Sequence, residues 1–216
     1  MIEVHLAVDR YESVQEGITT RHCFAAGANY DPHNLNFGPI VASDEHRVGP
    51  GAGFGRHPHR GVDILSWVLD GRLVHEDAAG ARTIVSAGEV LVQVSGPGIE
   101  HAERNASDTS PLHFVQMAMR ADSRPASGGD PPSASYGVGV PPVPIAGGSF
   151  AVVHPHPWAY LPAAAYVHVY LARGRALVDG RQVSEGDSVR LRDESVLVEG
   201  DADLLVLSLP APTVEG

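Results

Sequence analysis

Ile64-Leu65-Ser66-Trp67-Val68-Leu69, then Asp70-Gly71, then Arg72-Leu73-Val74-His75-Glu76-Asp77, is the stretch on which the fold turns. A short run of large apolar residues bounded by a turn signal suits a buried strand better than a helix. Asp-Gly is a hairpin signal, so 72–77 is expected as the partner strand. The same grammar continues outward. Ala78-Ala79-Gly80 turns, Thr83-Ile84-Val85 resumes, and Ala87-Gly88-Glu89 turns into Val90-Leu91-Val92-Gln93-Val94. Leu112-His113-Phe114-Val115-Gln116-Met117-Ala118-Met119 reads as another long strand, and no stretch of a dozen residues carries a helical period. With 24 Gly and 17 Pro between short apolar runs, the chain is expected to be all-β.

The pattern occurs twice. Gly71-Arg72-Leu73-Val74 followed by Val85-Ser86-Ala87-Gly88-Glu89 is answered by Gly174-Arg175-Ala176-Leu177-Val178 followed by Val183-Ser184-Glu185-Gly186-Asp187. A duplicated antiparallel unit is the economical reading. Between the copies the composition shifts to Ser123-Arg124-Pro125-Ala126-Ser127-Gly128-Gly129-Asp130-Pro131-Pro132 and then Pro141-Pro142-Val143-Pro144. That stretch has no apolar period and reads as a linker or long loop. The expected organisation is 1–120 as a first domain, 121–148 as linker and 149–216 as a second domain.

The chain has 216 residues and a net charge of −11, and its 15 basic residues are all Arg without a basic stripe. The footprint of a phosphate-binding surface is missing, so direct nucleic-acid binding is not expected. There is no apolar run of membrane-spanning length and no signal-peptide pattern at the N-terminus. The single Cys23 excludes an internal disulfide and suits the cytoplasm, with a buried small hydrophobe as its expected role.

Chemistry concentrates in two short pairs, His57-Pro58-His59 and His101-Ala102-Glu103. On a strand, residues two apart share a face. Two neighbouring strands can then aim three imidazoles and a carboxylate at one point, which is a first-row transition-metal donor set. A single His is more often an ordinary polar residue; four donors in matched pairs, each bracketed by glycines, point to a metal. Counting offsets from the repeated glycines, the second copy has Tyr160 and Pro162 for the first pair and Glu199 and Asp201 for the second. One metal per chain is therefore expected, in the first unit. His154-Pro155-His156 lacks a downstream partner and is expected at a strand edge. His75-Glu76-Asp77 is expected as an exposed strand, because consecutive strand residues cannot all serve one site.

Gly51-Ala52-Gly53-Phe54-Gly55-Arg56-His57-Pro58-His59-Arg60-Gly61 and Gly96-Pro97-Gly98-Ile99-Glu100-His101-Ala102-Glu103-Arg104-Asn105 resemble the two metal motifs of the pirin family of bicupins. Arg21-His22-Cys23-Phe24, Tyr30-Asp31 and Asn36-Phe37-Gly38 resemble its N-terminal segment. The resemblance is strong over about 15–120 and weaker beyond, where the chain looks like the family's degenerate second cupin. It implies two cupin-type β-barrels packed side by side, with one divalent transition metal in the first. The ligands carried across are His57, His59, His101 and Glu103. Fe(II) is the first expectation, with Mn, Ni, Co, Cu and Zn open. The implied activity is that of a quercetin 2,3-dioxygenase acting on a flavonol or related phenolic with O2. The alternative is a non-catalytic metal-bound regulatory module that binds a protein partner, as a monomer or a dimer. Four protein ligands on an ion that takes six leave two positions open, unlike a closed tetrahedral zinc site. Glu103 is expected to ligate and also to take the substrate proton when it loosens from the ion. Asp63 stands where the family usually has Glu, and is a candidate supporting bond for a ligating imidazole. Phe54, Gln93, Gln116 and Met117 are candidate pocket residues. Ala118 stands where the family usually has Trp, which puts the pocket wall more in doubt than the ligands.

Overall fold

The computed structural model describes residues 1–120 and 134–211. In chain order its strands are β1 (Ile2–His5), β2 (Tyr11–Gln15), β3 (Ile18–His22), β4 (Ile40–Val48), β5 (Gly53–His59), β6 (Val62–Asp70), β7 (Arg72–Asp77), β8 (Arg82–Ser86), β9 (Val90–Val94) and β10 (Ile99–Asn105). They continue with β11 (Leu112–Arg120), β12 (Ser135–Gly139), β13 (Val143–Ile145), β14 (Gly148–Val153), β15 (Trp158–Leu161), β16 (Tyr166–Val178), β17 (Arg181–Ser184), β18 (Ser188–Leu191) and β19 (Val196–Leu209). The only helical element among the described residues is one 3-10 turn, Ala7–Asp9, and no helix is long and apolar enough to cross a membrane. The all-β reading holds.

The chain divides into two units, Tyr11–Val140 and Met1–Arg10 with Pro141–Gly216. The first holds a seven-stranded sheet in the order β12-β9-β6-β11-β4-β3-β2 and a four-stranded sheet β5-β10-β7-β8. All of its neighbouring strands pair antiparallel. Ile18, Val48, Val68, Leu91, Leu112 and Phe114 of the larger sheet meet Leu73 and Val85 of the smaller one, with Phe54 and Tyr136 against them. Each such side chain taken fully out of water contributes about 1.5–3 kcal/mol. The result is a cupin-like pair of sheets around one core. Cys23, the single cysteine, is buried.

Asp70-Gly71 is not the hairpin turn its sequence suggests. β6 lies between β9 and β11, while β7 lies between β10 and β8 in the other sheet. Gly71 has φ +85°, and a Cβ there would stand 2.8 Å from Pro111 O. Only glycine fits a corner that tight, and it carries the chain from one sheet to the other. The true hairpin follows, β7 with β8.

The second unit is an eight-stranded sheet, β1-β18-β16-β19-β14-β13, with β15 on β19 and β17 on β16. Here one long strand, β16, replaces β6 and β7. Its first half pairs with β18, its second with β17, and its register on β19 shifts between Leu171 and Arg173. The internal repeat survives in detail. Gly71 and Gly174 have φ of 85° and 84°, and Gly88 and Gly186 have 85° and 86°. Ser86 N–H donates to Glu89 Oε2 at 2.7 Å, and Ser184 N–H to Asp187 Oδ2 at 2.8 Å. Gly88 N–H reaches Val68 O at 2.9 Å, and Gly186 N–H reaches Leu171 O at 2.8 Å.

The unit boundary differs from the expected one at both ends. β1 pairs with β18, so the first ten residues go with the second unit. β12 pairs with β9, so part of the stretch read as linker is an edge strand of the first unit. Residues 121–133 of that stretch lie outside the described residues.

Candidate metal centre

β5 and β10 run antiparallel, with His57 opposite His101 and His59 opposite Ile99. Cross-strand partners share a face, so the three imidazoles project to one side. The register then shifts. From His101 to Glu103 β10 advances two residues, while β5 goes back three, from His57 to Phe54. The extra residue is a bulge on β5, and bulges re-aim side chains. His57 Nδ1 lies 2.7 Å from Gly55 O within it. A carbonyl only accepts, so Nδ1 carries the proton and Nε2 presents a lone pair.

That Nε2 is 3.1 Å from His101 Nε2. His57, His59 and His101 each offer a nitrogen within 4.8 Å of the others, and their ring centroids are 4.6 to 4.8 Å apart. Two nitrogens each 2.0–2.1 Å from a shared ion at a right angle would be about 3 Å apart. The donor set fits a metal on a second ground. His59 Nε2 is buried with no hydrogen-bond partner, a costly state for a polar atom unless something fills the gap. Burial lowers His59 to about 4, with help from His57. Burial lowers His101 to about 3, with help from His57, His75 and His59. His59 and His101 are thus available as neutral donors near pH 7.

Glu103 is on the same face but outside the mutually close trio. It is buried, with Oε1 accepting from Ser66 Oγ at 3.2 Å and Oε2 from Gln116 Nε2 at 2.8 Å. Burial raises its pKa, against the opposing pull of the Gln116 bond, His75, His57 and Ser66.

The remaining expected residues separate by strand parity. Gln116 on β11 and Ser66 on β6 are register partners on the inner face. Phe54 on β5 lies opposite Glu103 on β10 and packs its ring on His46, centroids 5.1 Å apart. Gln93 Oε1 accepts from His75 Nε2 at 3.2 Å. Asp63 and Met117, both fully buried, sit at odd offsets from Ser66 and Gln116, so they occupy the opposite face and do not line this site.

His75 is the residue sequence reasoning missed. It is fully buried, not exposed; it lies directly across β10 from Glu103, with its ring 4.9 Å from His101 and 4.4 Å from Tyr136. The alternation rule itself holds on β7. Glu76 faces outward to Arg56 and Arg82, while His75 and Asp77 face inward. Tyr136, on β12, donates to Asp77 Oδ2 at 3.0 Å. The signal for it was the period-two run Tyr136-Gly137-Val138-Gly139-Val140 inside the Pro/Gly-rich stretch. Ile99 and Asp77, the register partners of His59 and His101, line a cavity of about 500 Å³ together with Glu100, Tyr136 and others.

The pirin family model matches residues 5–118, more than half of the 216-residue chain. A Mycobacterium tuberculosis protein provisionally named quercetin 2,3-dioxygenase is 32% identical over 89% of this chain and 87% of its own. The quercetin 2,3-dioxygenase of Escherichia coli K12 is 28% identical over 97% and 99%. Among solved structures, the bacterial pirin YhhW of Escherichia coli, in complex with nickel(II), superposes with a TM-score of 0.86 at 23% identity, covering 98% of this chain and all of that one. With its paired His motifs on adjacent strands of a cupin-like unit and a family match across that unit, the chain belongs to the pirin family.

Proposed function

We propose that the protein holds one divalent transition metal on His57, His59, His101 and Glu103 and uses it to open a flavonol or related phenolic with O2, as a quercetin 2,3-dioxygenase does. The observation that carries this reading is the convergence of three imidazoles, two of their nitrogens 3.1 Å apart, beside a buried carboxylate. When bound, a redox-active ion supplies Lewis acidity toward a phenol oxygen and electron exchange with dioxygen. Fe(II) is the first candidate and nickel(II), the ion in the Escherichia coli pirin, the next. Intrinsic affinity follows the general order of the series, which places nickel(II) above Fe(II) whatever the site's use, so it does not identify the working ion.

The chain's own groups divide the remaining work. Bulge geometry fixes His57, whose Nδ1–H donates a hydrogen bond to Gly55 O. Glu103, raised by burial, is suited to take the proton of a substrate hydroxyl. Ser66 and Gln116 hold its two oxygens in place. The neighbouring cavity, about 500 Å³, is within the range that takes a drug-sized ligand. Ile99 offers it an apolar wall, and the Tyr136–Asp77 pair a polar spot for a ring hydroxyl. A phenolic substrate and O2 in the cytoplasm complete the reading.

The test is oxygen uptake together with loss of the quercetin absorbance band, by protein loaded with Fe(II) or Ni(II). Both signals are expected, and elemental analysis of His57→Ala and His101→Ala is expected to find the metal largely gone. Wild-type metal content in both variants would reject the ligand set. Full metal with neither signal would reject the dioxygenase and leave the metal-bound regulatory module.

A further inference from the structure

Near the β2 edge of the seven-stranded sheet, three side chains stand in a line. His22 on β3 is directly opposite Asp44 on β4 and Tyr11 on β2. Ser13, two residues along β2 from Tyr11, is its diagonal neighbour on the same face. His22 Nδ1 lies 3.0 Å from Asp44 Oδ1, and His22 Nε2 lies 2.8 Å from Ser13 Oγ. An ionised carboxylate only accepts, so Nδ1 carries the proton and Nε2 accepts from the Ser13 hydroxyl. This is the order of nucleophile, general base and orienting acid. The Tyr11 ring lies nearly parallel to His22, centroids 5.7 Å apart and planes 21° apart, and holds the imidazole flat. The side chains of His22 and Asp44 are 12% and 22% exposed, so the line is shielded yet reachable.

We propose that Ser13, His22 and Asp44 form a second, hydrolytic site that cleaves aryl esters through an acyl-Ser13 intermediate. Ser13 Oγ bonds to the ester carbonyl carbon as its proton passes to His22 Nε2. The carbon–oxygen bond to the phenol breaks, and the leaving oxygen takes that proton. Water then bonds to the acyl carbon, giving a proton to Nε2. The Ser13 Oγ–carbon bond breaks, and the proton returns to Ser13. Ester and water become phenol and carboxylic acid, with no change in oxidation state and no other reactant. An aryl ester is favoured for two reasons. A partly solvated site stabilises an oxyanion less than an enclosed one, so the leaving group must depart easily. The Tyr11 face also offers a flat surface on which an aromatic ring stacks.

This site does not depend on the metal-centre reading. Asp44 acts by positioning His22, and Ser13 and His22 are the catalytic residues. The test uses the full-length, metal-loaded protein with a fluorophosphonate probe and, separately, with p-nitrophenyl acetate. A single phosphonyl adduct on Ser13, located by peptide mass, is expected. Ser13→Ala is expected to lose both adduct and ester turnover with an unchanged melting temperature. Asp44→Asn is expected to lower kcat about 10²–10⁴-fold with little change in KM, since the amide reverses the tautomer of His22. The adduct is mapped on the unaltered protein, so the result is readable even if a variant misfolds. No adduct on Ser13 in folded protein, or wild-type turnover by folded Ser13→Ala, overturns the proposal.

Discussion

Gln116 donates to Glu103 Oε2 at 2.8 Å and to Ser66 Oγ at 2.9 Å, while Ser66 donates to Glu103 Oε1. One amide thus fixes both the carboxylate and the hydroxyl that supports it. Gln116→Ala removes the stronger restraint and leaves a buried acid short of a donor. Groups that orient a metal ligand typically change affinity about 10–100-fold when lost. Gln116→Ala is therefore expected to weaken metal binding by about that factor, with stoichiometry kept at one, as read by competition with a chelator; affinity equal to wild type would show that Glu103 is not a ligand held by Gln116. At this scale the trio was legible because a spacing of two on a strand means one face, whatever the rest of the fold does. His75 was not, because in His75-Glu76-Asp77 parity says that neighbours diverge without saying which one turns inward. That choice is made by the partner strand, β10, which places Glu103 opposite His75.

The strands carrying the donors approach each other closely at one point. A Cβ on Gly53 would stand 2.5 Å from Glu103 O and 2.6 Å from Arg104 Cα, both backbone atoms of β10. Two residues on, a Cβ at Gly55 would meet nothing within 4 Å. Gly53→Ala must push β5 and β10 apart, an overpacking of the kind that destabilises by about 1–3 kcal/mol. It is also expected to weaken metal binding, because the trio spans both strands. Gly55→Ala is expected to leave the unfolding midpoint and the metal content near wild type. Equal midpoints in chemical denaturation for the two variants would contradict this close approach. Strands β6 to β9 and β11 were legible from short apolar runs between glycines, but the sheet each joins was not. Asp70-Gly71 has the local chemistry of a hairpin, yet the chain there changes sheets, because Gly71 lies against Pro111 and Leu112. Local turn chemistry cannot register that long-range contact.

Across the whole chain the duplication was visible in sequence as two glycine-acid turns, and it returns as matched φ angles and matched backbone bonds. What the sequence concealed was where each unit begins, since the pairing of β1 with β18 joins residues nearly a full chain length apart. The second unit has traded the histidine trio for a different buried imidazole. His168 on β16 is fully buried, opposite Arg190 on β18. Its pKa is lowered to about 3 by burial first, then by Arg190, His5 and Arg10. The consequence for stability has a definite sign. Above the ordinary value of 6.5 His168 is neutral in both folded and unfolded chains and contributes no pH dependence. Below it, the unfolded chain takes up a proton that the folded unit refuses, so stability falls as pH drops from 6.5 toward 3. Each pH unit in that window is worth 2.303RT, so lowering the pH to 5 removes about 2 kcal/mol through this one group. Denaturation curves at pH 7.5 and pH 5 are therefore expected to differ less for His168→Gln than for the wild type, by about that amount. The comparison subtracts whatever the substitution does at neutral pH, because only the difference between the two pH values is read. If both proteins lose the same stability on acidification, the folded unit takes the proton as readily as the unfolded chain, and His168 is not held neutral by its surroundings.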